Sequence, residues 1–282
     1  MPQAHSLYTL CWYFCIYSFL GWCSEVAFAA IKTRHLVNRG FLNGPVCPIY
    51  GFGMLAAVTV LGPVSGSLPA LFIGGALLAT ALELVGGWAL KTLFHARWWD
   101  YSDQPLNLGG YICLGFSLLW GVAVTAVMRV LHPAVETLVD RALTNPAGAI
   151  LLGLCTGLFV ADLIATVITV TGLMRQLGEL ERITALLHKS SDLLTKQVGG
   201  AALVADERLS AGREMLEDRT DAARAELEMR RDLLRAEILD RRLGASRLLR
   251  AFPTLKSTRY ENSLRALRQD LNERLAGRIR RR

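Results

Sequence analysis

Three acidic residues lie inside long apolar stretches of the sequence, where an ionised carboxylate is costly. Glu25 and Glu83 each precede the end of their stretch by six or seven residues, and Asp162 lies twelve residues before Met174. At ~1.5 Å per helical residue, both glutamates are expected roughly 10 Å below one membrane surface. Ionisable residues in a bilayer usually pair with another group or line a cavity. We therefore expect Glu25 and Glu83 to line one polar site, unless each is only a structural partner of a buried Arg, Trp or backbone group.

Two connecting segments are predicted on the same side as these glutamates. Residues 38–51 and 95–110 combine Gly and Pro with amides, charges and aromatic rings, and such backbone is tolerated at membrane depth when it is buried in protein or lines a cavity. The alternative is that the segments lock the fold and that their aromatic residues form an interfacial belt. The predicted substrate-binding set comprises acidic, basic, amide and aromatic side chains: Glu25, Asn38, Arg39, Glu83, Trp99, Asp100, Tyr101 and Asn107.

Motifs for metal, cofactor or nucleotide chemistry do not occur in the sequence. The six cysteines show no C-x-x-C or Cys/His spacing, so neither a metal site nor a cofactor is predicted. There is no G-x-x-x-x-G-K-[ST] phosphate loop and no H-E-x-x-H. An enzyme is therefore disfavoured, although paired carboxylates could serve as acid and base.

The elements that must position these residues are membrane-spanning helices. Stretches of about 20 apolar residues are long enough to cross the hydrocarbon core, and four occur, at 7–31, 68–90, 112–131 and 149–174. A fifth stretch, 49–64, is short and rich in Gly. Gly153 and Gly157 form a G-x-x-x-G pattern, which favours close helix contact. We predict an all-α polytopic bundle of about five spans, with a transmembrane domain at 1–174 and a helical tail at 175–282.

The charge distribution predicts the orientation. Residues 1–174 hold seven basic and seven acidic residues, so the net charge of +7 comes from the tail. With five spans and the tail in the cytoplasm, the short loops carry five basic residues inside and two outside, as the positive-inside rule requires. This places the N-terminus outside. If residues 49–64 were re-entrant, Lys32, Arg34 and Arg39 would lie outside, and the excess of basic residues in the inner loops would reverse.

The tail has the pattern of long amphipathic helices. Apolar residues recur at heptad-like positions from Leu173 through Leu209 to Ile238, which predicts a cytoplasmic coiled coil or helical hairpin that could make the protein a homo-oligomer. A basic strip bound to anionic lipid is the alternative. Nucleic-acid binding is not expected, because the basic residues alternate with acidic ones and few aromatic residues are available for base stacking.

Several short motifs resemble one known family. They are Phe19-Leu20-Gly21-Trp22 with Glu25, Asn38-Arg39-Gly40-Phe41-Leu42, Gly44-Pro45, Cys47-Pro48-Ile49-Tyr50-Gly51, Trp98-Trp99-Asp100-Tyr101-Ser102 with Asn107 and Cys113, and, within 247–260, Phe252-Pro253 and Ser257-Thr258-Arg259-Tyr260. Together they are similar to the CmpB-like family of ABC-transporter type IV proteins, closely over residues 7–130 and in patches over the tail. The resemblance implies a multi-pass protein of the bacterial inner membrane.

Three functions are compatible with these observations. The first is a permease-like subunit in the lipid bilayer, whose polar site near the cytoplasmic face binds a small polar or cationic solute and whose ATPase would be a separate chain. The second is a membrane-anchored scaffold with a coiled-coil interaction tail. The third is a membrane-embedded enzyme that acts on an amphipathic substrate.

Overall fold

The computed structural model describes residues 6–201, 210–240 and 244–279. It is mostly helical and divides into two compact units. The first contains residues 1–169 together with Arg247–Lys256, and the second contains Val170–Ser246 and Ser257–Arg282. The first unit thus includes a short segment from near the C-terminus.

The described helices fall into two groups along the chain. In the first unit they are α1 (Leu7–Thr33), α2 (Pro48–Ala56), α3 (Leu68–Phe94), α4 (Leu114–Ala126) and α5 (His132–Ala142). The helix α6 (Pro146–Ala201) extends from the first unit into the second, which also contains α7 (Ser210–Asp240) and α9 (Glu261–Ile279). Most of the short helix α8 (Ala245–Ala251) belongs to the first unit. Four helices are long and apolar enough to cross a membrane: Leu7–Thr33, Leu68–Phe94, Leu114–Ala142 and Pro146–Lys189.

The fifth apolar stretch is helical as well. Helix α2 continues through a π-helical turn (Ala57–Leu61) and a short 3₁₀ turn (Gly62–Val64), so an apolar helix extends over Pro48–Val64. At ~1.5 Å per residue this segment is roughly 25 Å long, close to the thickness of the hydrocarbon core. Its crossing of the membrane stays a prediction.

The third apolar helix is longer than the hydropathy of the sequence indicated. We expected a span that ends at residue 131 and a loop over 132–148, but the chain stays helical to Ala142. A π-helical turn, Val127–Leu131, precedes Pro133 and accommodates the missing backbone N–H. The side chain of His132 is buried and lies 2.9 Å from the Tyr17 hydroxyl, which fixes this continuation against α1.

Helices α1 and α2 pack closely because glycines lie at their crossing. A Cβ atom on Gly21 would lie 2.2 Å from Cγ of Tyr50, and one on Gly51 would lie 2.2 Å from Oγ of Ser18. Small residues at such a crossing allow two backbones to approach each other. By contrast, no described atom of this chain lies within 4 Å of a Cβ at Gly153 or Gly157, so the contact predicted there stays a prediction.

The connections that follow α1 and α3 begin at residues with positive φ angles. The helices α1 and α3 each end on a residue in the left-handed conformation, Arg34 and His95. After α3 come the two-residue strands β1 (Ala96–Arg97), β2 (Asn107–Leu108) and β3 (Ile112–Cys113). Strands β2 and β3 form an antiparallel hairpin, with Asn107 opposite Cys113, and Gly109 and Gly110 supply positive φ angles at its turn. Strand β4 (Lys256–Ser257) lies where the chain passes from the first unit to the second.

The second unit is a set of helices that pack on one another. The predicted stripe is buried at Leu173, Leu177, Leu180 and Leu187, and again at Ile238, whereas Leu209 lies outside the described residues. Polar pairs join the same helices, since Arg230 bonds Glu179 at 2.8 Å and Arg274 bonds Asp240 at 3.2 Å. The apolar stripe thus packs within the chain.

Candidate functional site

Glu25 lies on α1, where a tyrosine and an arginine reach it. The hydroxyl of Tyr50 on α2 donates a hydrogen bond of 2.7 Å to Oε1 of Glu25. Nε of Arg39 lies 3.7 Å from Oε2, and both side chains of this ion pair are between a quarter and a third exposed. Arg39 also lies over the ring of Phe28, 5.8 Å from its centroid. The negative charge of Glu25 therefore has a cationic partner.

Glu83 lies on α3 and is buried. Its Oε1 accepts hydrogen bonds from the indole of Trp120, at 3.0 Å, and from the hydroxyl of Tyr101, at 3.3 Å. The other oxygen, Oε2, is buried and has no hydrogen-bond partner among the described residues. Nor does any described basic side chain form an ion pair with Glu83. One oxygen of this carboxylate therefore accepts two hydrogen bonds, while the other oxygen is an acceptor without a donor among the described residues.

The two glutamates belong to one cluster. The rings of Tyr50 and Trp120 meet edge to face, with centroids 5.7 Å apart. Because Tyr50 donates to Glu25 and Trp120 donates to Glu83, this ring pair connects the two carboxylates. We call these six residues the glutamate cluster: Glu25, Arg39, Tyr50, Glu83, Tyr101 and Trp120.

Asp100 belongs to a different group of charges. Its side chain accepts from Nζ of Lys256 at 2.6 Å and lies 3.9 Å from Nη1 of Arg97. Burial alone would raise the pKa of Asp100, but hydrogen bonds from Lys256 and Ser102 outweigh that effect and lower the pKa to about 2. Asp100 forms no described contact with Arg39, although Tyr101, the next residue, contacts Glu83.

The remaining predicted site residues hold the backbone of their loops. Asn38 accepts from the indole of Trp22 and donates to the carbonyl of Asn43. Asn107 donates to two carbonyls of its own loop and accepts from the N–H of Gly110. The indole of Trp99 donates to the carbonyl of Tyr111. These side chains therefore hold the backbone of the two loops.

The third membrane acid, Asp162, fastens the first loop. Its Oδ2 accepts from the backbone N–H of Gly44 at 2.7 Å, and its Oδ1 accepts from both the backbone and side-chain nitrogens of Asn43. From near the C-terminus, the guanidinium of Arg247 donates to the carbonyl oxygens of Gly40 and Phe41, at 2.9 and 3.0 Å. An anion thus holds the N–H groups of this loop, and a cation holds its carbonyl groups.

The predicted site lacked several residues of these contacts, among them Tyr50, Trp120, Arg247 and Lys256. Tyr50 lies in the Cys-Pro-Ile-Tyr-Gly motif, and Arg247 and Lys256 flank the Phe-Pro motif, so the family motifs offered a signal for them. No local pattern distinguished Trp120 from other aromatic residues of a span. Within the described ranges, no group of three or more His, Cys, Asp or Glu side chains could hold a metal ion.

The interaction of Asp100 with Lys256 gives a pH-dependent prediction. The pKa of Asp100 is lower in the folded protein than in the unfolded chain. The contribution of Asp100 to the stability of the folded protein is therefore complete above the ordinary Asp pKa of about 4, and it is lost as the pH falls through about 2. We expect Asp100→Asn to reduce the free energy of unfolding by about 1–2 kcal/mol at neutral pH. This loss is smaller than the pKa shift alone would give, because Lys256 is half exposed and solvent screens its charge. Melting temperatures in nanodiscs measure this.

The matched control is Asp103→Asn in the same exposed loop. The melting curves of wild type and Asp100→Asn should converge as the pH falls from about 4 toward about 2, while Asp103→Asn follows the wild type throughout. A difference between wild type and Asp100→Asn that stays constant with pH would contradict the assignment.

The helices and the site define the class of this molecule. The long apolar helices carry acidic side chains that are buried, as Glu83 is, or partly buried, as Glu25 and Asp162 are, which is the pattern of a multi-pass membrane protein with polar groups among its helices. The family described as Putative ABC-transporter type IV matches residues 12–167, more than half of the chain, and the protein belongs to that family. No curated protein and no solved structure gives a significant match.

Proposed function

We propose that this chain is a permease-like subunit and that its glutamate cluster binds a small organic cation near the cytoplasmic face. The observation that carries the proposal is the buried Oε2 of Glu83, which has no hydrogen-bond partner among the described residues. A buried acceptor without a donor costs free energy, and a ligand that supplies a positively charged donor would recover it.

The charges of the glutamate cluster favour a cation over a neutral solute. Arg39 offsets Glu25, while Glu83 has only the neutral donors Trp120 and Tyr101. The ionised cluster therefore carries one net negative charge. The aromatic rings of Tyr50, Tyr101 and Trp120 offer the π faces that organic cations prefer.

Access to Glu83 would require Tyr101 to move. The ring of Tyr101 stacks on Phe116, with centroids 4.7 Å apart. Phe116 borders a shallow groove that neither glutamate lines; the other lining residues are Gln104, Pro105, Cys113, Gly115 and Leu119. Tyr101 therefore lies between the border of this groove and Glu83, since it stacks on Phe116 and donates to the carboxylate.

The topology that suits this role has five crossings, with the N-terminus outside and the tail in the cytoplasm of a bacterial cell. The charge count of the short loops supports it, and so does the length of the apolar helix Pro48–Val64. The family name refers to ABC transporters, and the sequence has no phosphate-binding loop. A separate ATPase chain is therefore the expected energy source.

A scaffold function is the second candidate, because the second unit has a packed core of its own. Apolar residues from α6, α7 and α9 are buried there, including Leu177, Ile238 and Leu267. The pairs Arg230–Glu179 and Arg235–Asp270 add contacts between those helices. A folded helical unit of this kind can bind a partner whether or not the membrane part carries a solute.

The test is stabilisation of the full chain by cations. We expect at least one of tetramethylammonium, choline and putrescine to raise the melting temperature in nanodiscs. For Glu83→Gln, the cation concentration that gives the same rise should be at least ~10-fold higher, because this substitution removes the charge of the side chain without changing its shape. The matched control is Glu136→Gln, on a half-buried glutamate of α5 outside the glutamate cluster. Equal stabilisation of Glu83→Gln and wild type would contradict the proposal.

A further inference from the structure

A short segment near the C-terminus packs against both loops of the first unit. Residues Arg247–Lys256 belong to that unit, while the residues on either side of them belong to the second. The chain therefore enters the first unit at Arg247 and leaves it again after Lys256. We call this segment the strap.

One end of the strap holds the first loop. Arg247 donates to the carbonyls of Gly40 and Phe41, the two residues that follow Arg39 of the glutamate cluster. The same loop is anchored at its other end by Cys47, whose backbone N–H donates to the carbonyl of Ser18 on α1 at 2.9 Å. Arg247 thus holds the backbone of the first loop directly after Arg39.

The middle and the other end of the strap hold the second loop. The ring of Phe252 meets buried Trp98 edge to face, with centroids 4.9 Å apart, and Trp98 meets Phe41 at the same separation. Lys256 binds Asp100 at 2.6 Å. Asp100 is followed by Tyr101, which donates to Glu83. The strap therefore contacts the residue next to each loop member of the glutamate cluster.

We propose that the strap regulates the glutamate cluster by fastening the two loops together when it is docked and releasing them when it undocks. This inference rests on the proposed function only for what the cluster binds. The docked strap is held by these polar bonds, by the ring contact of Phe252 and by its buried apolar side chains, Leu248, Leu249, Ala251 and Leu255. It opens as one local unit without global unfolding. Both ends of the strap continue into the second unit.

Two native cysteines allow docking to be measured without any solute. Cys47 lies in the first loop, and Cys113 lies in strand β3, opposite Asn107 of the second loop; both are buried, at 6% and 3% exposure. Burial raises the pKa of Cys47 to about 12, so a docked loop should react very slowly with a maleimide. Single-cysteine proteins that keep Cys47, Cys113 or the span residue Cys15 should be labelled in nanodiscs with a membrane-impermeant maleimide.

The expected result is loop-specific exposure. Arg247→Ala should increase the labelling rate of Cys47 roughly 10-fold or more, because two charge-assisted hydrogen bonds are lost, and Lys256→Ala should do the same for Cys113. Phe252→Ala should increase both rates. The control Arg259→Ala removes an exposed basic side chain just beyond the strap and should leave both rates unchanged.

Two results would overturn the proposal. One is wild-type labelling rates of both loop cysteines in all three strap variants. The other is an equal increase at Cys15, which would show global unfolding in place of local release. Since no solute is present in this experiment, failure of the strap proposal is distinct from failure of cation binding, which the melting experiment measures separately.

Discussion

Replacement of Asp162 by alanine is expected to destabilise the first unit by about 3–5 kcal/mol. The carboxylate accepts hydrogen bonds from the backbone of Asn43 and Gly44 and from the side-chain amide of Asn43. Without it, these donors would be left unsatisfied in a partly buried place, and each such loss costs about 1–3 kcal/mol. Thermal and denaturant unfolding of the full chain in nanodiscs measure the difference.

Two further variants separate the role of Asp162 from a general effect of mutation. Asp162→Asn keeps one acceptor oxygen and should lose clearly less stability than alanine. Asp140→Ala removes an exposed carboxylate of α5 and should change the free energy of unfolding by less than about 0.5 kcal/mol. Equal stability of Asp162→Ala and Asp140→Ala would show that Asp162 does not hold the loop.

Gly21→Ala is expected to cost about 3 kcal/mol although it adds only one methyl group. The new Cβ would lie 2.2 Å from Cγ and 2.4 Å from Cβ of Tyr50, and these atoms cannot move away without moving α2. Overpacking of a close contact costs about 1–3 kcal/mol. The shift would also draw the Tyr50 hydroxyl away from Glu25, so cation-induced stabilisation should weaken together with the melting temperature.

Gly157→Ala is the matched control, because Gly157 also lies within an apolar helix but has no described atom within 4 Å of its Cβ position. Alanine favours a helix by up to about 1 kcal/mol over glycine, so this variant should melt at or slightly above the wild-type temperature. If both glycine variants melted alike, the close crossing of α1 and α2 would be wrong.

The sequence predicted the helical membrane part because that information is local. Each span needs a run of apolar residues and satisfies its backbone hydrogen bonds within itself, so hydropathy alone identifies it. The predicted helices occur, with one difference at residues 132–142. There the end of the apolar stretch at residue 131 indicated a loop, whereas burial of His132, Val135 and Val139 keeps the chain helical.

Helix contacts were less predictable from spacing. The G-x-x-x-G pattern at Gly153 and Gly157 indicated a close contact that the described residues do not form, while isolated glycines, Gly21 and Gly51, form one. A small residue permits a close approach, but the opposite helix must supply the group that fills the space. That group, such as the ring of Tyr50 opposite Gly21, belongs to a different helix, so the residues next to the glycine do not predict it.

The candidate site shows the same division between local and tertiary information. The order of the residues was enough to predict that Glu25 and Glu83 lie in apolar helices at similar depth, since depth follows from counting residues along a helix. Only the tertiary structure joined them through Tyr50 and Trp120, and only it brought Arg247 to a loop 206 residues earlier in the chain. Such contacts depend on the fit of side chains from distant segments, and no local periodicity or motif spacing specifies that fit.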